Sequence, residues 1–99
     1  MNRFAILAIL ILLTWSTAAS AQVTPEREAS AKALNRLGLD AIDQGDFAAA
    51  IEYFQQAYEV NPKPRYLFNF ARGLQVTGQR RTALAQYRCY MDLIETQKK

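Results

Sequence analysis

Apolar residues are arranged in two ways along this chain. Phe4 to Leu13 is an unbroken apolar run, and the residues behind it turn small and polar before Ala19-Ser20-Ala21. From Thr24 onward, apolar residues recur instead at steps of three and four, broken by Gly and Pro. That is the period of helices that each hide one face.

Thr24-Pro25-Glu26 predicts the first helix start, with Thr as N-cap, Pro at the first helical position and acids at the positive end of the dipole. Ala29, Ala33, Leu34, Leu37, Ala41 and Ile42 mark its expected packing face. Gln44-Gly45-Asp46 ends it: Gly supplies a left-handed residue, and Asp46 caps the next helix. A second helix is expected from about Phe47 to Val60, packing through Ala50, Ile51, Phe54, Ala57 and Tyr58. Asn61-Pro62-Lys63-Pro64 stops it, because proline cannot continue a helix. A third is expected from about Arg65 to Thr77, carrying Leu67, Phe70, Ala71 and Leu74, with Gly78 as its breaker. The fourth covers about Arg80 to Gln97, with Ala83, Leu84, Tyr87, Tyr90, Met91 and Ile94. Four helices on three short turns predict an all-α fold of antiparallel hairpins.

The amino-terminal run changes the expected compartment. Arg3 precedes it, and the Ala19-Ser20-Ala21 exit fits the small-x-small rule of a cleavable export signal. A membrane-spanning helix needs ~20 apolar residues, about twice this run. Residues 1–21 are therefore expected to be a signal peptide removed after Ala21, giving a periplasmic or secreted chain that starts at Gln22. An uncleaved signal segment is the one expected route to a membrane. No Cys lies at the junction, which disfavours a lipid-anchored signal.

The rest of the composition mainly excludes. With 99 residues there is room for one small domain. Twelve Lys and Arg against nine Asp and Glu, with no basic block, offer little footprint for nucleic acid. His is absent, so there is no Ser-His or Cys-His pair and no imidazole ligand. The four Gly form no phosphate-cradling run. Neither enzymatic activity nor a cofactor is expected. Cys89 stands alone and cannot close an internal disulfide. It is expected to be a buried, inert thiol; the alternative is an exposed one that pairs between chains in an oxidising compartment.

A period of 33 residues links the two halves. Leu34-x2-Leu37-Gly38 corresponds to Leu67-x2-Phe70-Ala71, Gly45 to Gly78, Ala50 to Ala83, Ile51 to Leu84 and Phe54 to Tyr87. Small residues recur where paired helices must touch, as in arrays whose units hide their apolar faces against neighbours. Leu34-x2-Leu37-Gly38, Gly45-Asp46-Phe47, Ala50-x3-Phe54-x2-Ala57 and Pro62 resemble a near-complete tetratricopeptide repeat over residues 31–64. A weaker copy follows, in which Arg80 replaces the aromatic, Tyr90 replaces the small residue and no terminal Pro appears. The expected organisation is a leader and helix start at 22–30, a first repeat at 31–63 and a second at 64–97. The alternative architecture is an unrelated four-helix bundle.

This resemblance implies a short right-handed solenoid whose first helices line a concave surface. The inward residues would be Asn35, Leu39, Ile42 and Asp43, then Phe68, Arg72, Gln75 and Val76, receiving an extended peptide or a helix of a protein partner. Their mixture of apolar side chains with Arg72 and Asp43 suits an apolar segment that carries a charge. The Lys/Asn clamp with which some members grip a terminal carboxylate is not carried over: Asn35 and Leu39 stand at the wanted places, and only Asn69 resembles a clamp residue. Asn69 is expected to bond neighbouring backbone instead.

Charge is split between the halves. Residues 31–63 hold three bases and five acids, residues 64–99 seven bases and two acids. Tyr87, Tyr90, Met91 and Ile94 on the last helix, continued by Leu84, are expected to drive self-association. Two arrangements are open: a two-fold contact, or the basic second hairpin of one chain stacked on the acidic first hairpin of the next. Two further readings stand beside the binding module, a structural self-assembly unit and the truncated N-terminal part of a larger repeat protein.

Overall fold

The computed structural model describes residues 22–98. The expected signal, residues 1–21, lies outside the described residues. Four α-helices follow one another: α1 (Pro25–Asp43), α2 (Phe47–Val60), α3 (Pro64–Val76) and α4 (Arg80–Gln97). The Thr24 side chain accepts the Arg27 backbone N–H at 3.2 Å, and Asp46 accepts that of Ala49 at 3.2 Å. Each thereby satisfies a donor that the first helical turn leaves open. The third helix starts one residue before its expected position, at Pro64 itself, because the ring's fixed φ suits the first helical residue.

Two identical turns join the helices within each hairpin. Gly45 and Gly78 have φ of +76° and +86°, a region that only glycine enters without strain. In each turn the third residue beyond the helix donates back to a carbonyl five residues earlier: Asp46 to Ala41 at 2.8 Å, and Gln79 to Leu74 at 2.9 Å. The 33-residue period of the sequence is thus also a period of backbone conformation.

Helices pack in chain order: α1 on α2, α2 on α3 and α3 on α4. A closed four-helix bundle would also join α1 to α4, so this is a stack of hairpins. The core is formed by Ala31, Ala57 and Tyr66, supported by Leu34, Tyr58 and Val60, and by Ala41, Ala50 and Phe54, supported by Ile42, Ala49, Tyr53 and Phe70.

The packing face of α1 differs in part from the expected one. Ala41 is buried and Leu34 and Ile42 are partly buried as expected, but Ala29 and Ala33 are exposed and Leu37 is 44 % exposed, while Ala31 and Gly38 are buried instead. The reason is close approach. The Phe54 ring lies where a Cβ on Gly38 would stand, with Cδ1 2.7 Å and Cζ 2.9 Å from that point. A seam made of Gly and Ala has little hydrophobic signature, so the larger Leu37 drew the predicted face toward itself. Two further buried residues of α3, Tyr66 and Gly73, were not anticipated either.

On α4 only Ala83 is buried. Cys89 is exposed, contrary to the expectation of a buried thiol. It lies on the side of the helix away from Ala83, where no neighbouring helix packs.

Candidate functional site

Between α1 and α3, with α2 as the floor, runs a groove of about 340 Å³ lined by Leu39, Ile42, Phe47, Phe54, Asn69, Arg72 and Val76. Helical spacing accounts for the walls: Leu39 and Ile42 lie three apart on α1, while Asn69, Arg72 and Val76 are three and four apart on α3. Leu39 is 46 % and Val76 56 % exposed, so both walls of the groove present apolar surface to solvent. Ile42 and Phe47 are partly buried, and Arg72 stands exposed among them.

Asn35 lies above this groove and is tied to its opposite wall. Asn69 Nδ2 donates to Asn35 Oδ1 at 2.9 Å. The expected backbone partner of Asn69 is thus replaced by a side chain, because α1 and α3 come close at that level.

Four of the expected inward residues, Leu39, Ile42, Arg72 and Val76, come together here. Phe68 and Gln75 do not. Phe68 turns toward α4, meeting Tyr87 edge-on with ring centroids 5.7 Å apart and Tyr90 at 5.1 Å. Such aromatic pairs add to simple burial. Gln75 accepts the Tyr87 hydroxyl at 2.8 Å and lines a separate cleft of about 430 Å³ with Arg80, Ala83, Leu84 and Tyr87. Asp43 is exposed and outside the groove lining. Three lining residues stand outside the expected inward set: Phe47, Phe54 and Asn69. Phe47 and Phe54 both belong to α2, and their seven-residue spacing is the sign in the sequence that they share one face.

Of the residues expected to drive self-association, Tyr87 and Tyr90 are partly buried on Phe68 and Ile94 is partly buried, while Met91 is 56 % exposed. Among the described residues, no group of three or more His, Cys, Asp or Glu could hold a metal ion, and no helix is long and apolar enough to cross a membrane.

Chemically the groove is an apolar trough with a guanidinium beside it. It offers area to aliphatic or aromatic side chains, and the planar fork of Arg72 matches a carboxylate.

Stacked antiparallel hairpins meeting through small residues define a helical-repeat architecture. Residues 31–64, which hold most of α1, all of α2 and the start of α3, match the family model of the tetratricopeptide repeat. Neither the curated proteins nor the solved structures contain a match to the chain.

Proposed function

We propose that the chain is an exported protein-binding module whose α1–α3 groove holds an apolar, acid-bearing segment of a partner protein. One observation carries this reading: Leu39 and Val76 stand open on the two walls of one groove, with Arg72 beside them. The repeat match supports it, because repeats of this kind are interaction modules. We further read the two hairpins, residues 31–63 and 64–97, as two copies of one repeat, the second diverged at Arg80 and Tyr90.

Arg72→Glu is expected to weaken binding about 10- to 100-fold while leaving the melting temperature unchanged, since a rim charge is reversed and no packing is lost. Peptides selected by display against the wild-type protein supply the probe, with dissociation constants compared by titration. Asp43→Lys, which also reverses an exposed charge but lies outside the groove lining, should leave those constants unaltered. Equal affinities for wild type and Arg72→Glu would reject the groove as the site.

Export rests on the Phe4–Leu13 run and the Ala19-Ser20-Ala21 exit. Intact-mass measurement of the protein from an exporting host should give Gln22 as the first residue. A chain retaining Met1 in the membrane fraction would overturn this and make the segment an anchor.

A further inference from the structure

Helix α4 holds two large apolar side chains in the open, Leu84 at 51 % and Met91 at 56 % exposure. They are two turns apart and therefore stand in line along one side. The first hairpin shows how such a side is covered. One repeat earlier, the equivalent residues are Ile51 and Tyr58, both partly buried, and α3 packs on their helix. There Gly73 comes so close that a Cβ on it would lie 2.9 Å from Ile51 Cγ1. Among the described residues, α4 has no equivalent of α3.

The simplest cover would be α1 of another copy, taking the place that α3 takes on α2. One residue opposes it. The α1 residue that corresponds to Gly73 is Asp40, 33 residues earlier. In that arrangement its carboxylate would be forced against Leu84, where the internal contact has no room even for a methyl group, and an apolar wall offers the charge no partner. Endless head-to-tail stacking would thus be penalised at a single side chain, despite the favourable charge split between the hairpins.

A second α4, running antiparallel, meets no such obstacle. Its charge is graded along its length, with Arg80, Arg81 and Arg88 in the first half and Asp92 and Glu95 in the second. One antiparallel register sets Leu84 against Met91, Arg80 against Glu95 and Tyr87 against Arg88, and the two-fold axis repeats each pair. These six residues share a stripe covering roughly a quarter of the helix circumference. Among the described residues, the ion pair formed is Lys63–Glu28 at 3.1 Å, so Arg80 and Glu95 are both available. We propose that this chain forms a two-fold dimer through antiparallel α4 helices, with Leu84 and Met91 as its apolar centre and Arg80–Glu95 pairs at both ends. Tyr90 and Ile94 lie outside this stripe, unlike in the sequence-based expectation. None of the six residues lines the α1–α3 groove, so dimerisation and partner binding are separable.

The test is sedimentation equilibrium of the chain in the form that accumulates in an exporting host, across a roughly hundredfold concentration range. The expected result is a mass that saturates at two chains. Arg80→Glu or Glu95→Arg alone should weaken association about tenfold or more, because each turns two attractions into repulsions. The double variant, Arg80→Glu with Glu95→Arg, should restore it. Met91→Glu should give a monomer of unchanged helicity. A wild-type monomer throughout would overturn the proposal and leave the face for a different protein. So would a mass that climbs without a plateau, the mark of head-to-tail stacking, or a double variant as weak as either single one.

Discussion

Phe54→Ala is expected to abolish the cooperative unfolding transition or bring its midpoint close to ambient temperature. Phe54 is 1 % exposed, packs with Ala41 and Ala50, and covers Gly38. Truncating a buried Phe to Ala costs about 3–5 kcal/mol, since both transfer energy and packing are lost. A domain of this size has roughly 4–12 kcal/mol in total. The substitution therefore removes a large share of the stability at one residue, and it also hollows the floor of the groove. Thermal and urea unfolding followed by circular dichroism measure it directly. Phe54→Leu, which keeps most of the volume, should retain a clear transition. A Phe54→Ala curve superimposable on wild type would place the ring outside the core.

Gly38→Val is expected to destabilise the domain by about 1–3 kcal/mol, although helix propensity alone predicts the opposite sign. Replacing a mid-helix glycine ordinarily gains roughly 0.5–1 kcal/mol with Ala, and only a few tenths with the β-branched Val. Here the new Cβ would collide with Phe54, whose ring atoms are already 2.7 and 2.9 Å from that point, and the ring is too buried to swing aside. Steric conflict wins because the neighbour cannot move. The two sites are therefore coupled: in a Phe54→Leu background, Gly38→Val should cost markedly less than in the wild type. A double-mutant cycle measures this, and strict additivity would show that α1 and α2 do not meet at Gly38.

The residues that punctuate the chain were the most legible. Thr24, Asp46, Gly45, Gly78 and the prolines act through local backbone chemistry, so their effects are visible without knowledge of tertiary contacts. The packing face of α2 was legible for a different reason: Ala50, Phe54 and Ala57 combine strong apolar character with helical spacing, and all three are buried. For α1 the same rule pointed to Leu37. There the buried seam is built from residues chosen for smallness, and smallness at Gly38 is dictated by a ring on another helix.

The groove was half legible for the same reason. Leu39, Ile42, Arg72 and Val76 follow from the helical period once the repeat is recognised. Phe68 and Gln75 share that period but are drawn to α4, where Tyr87 and Tyr90 offer an aromatic edge and a hydroxyl. Those partners lie 12 to 22 residues further on, and no local pattern in α3 announces them.

The Asn35–Asn69 bond joins the two groove walls directly, across 34 residues of sequence, although α1 and α3 are otherwise held together mainly through α2. It behaves as a strut across an open spring. While it holds, the distance between the walls is fixed before anything arrives, so an occupant of matching width need not spend its binding energy on closing the hairpins together. A thicker occupant must break the amide pair to enter, and either leaves both side chains seeking new partners or supplies those partners itself. Under the binding role proposed above, the strut would act as a gauge, selecting among apolar segments by girth before the charge at Arg72 selects among them by sign.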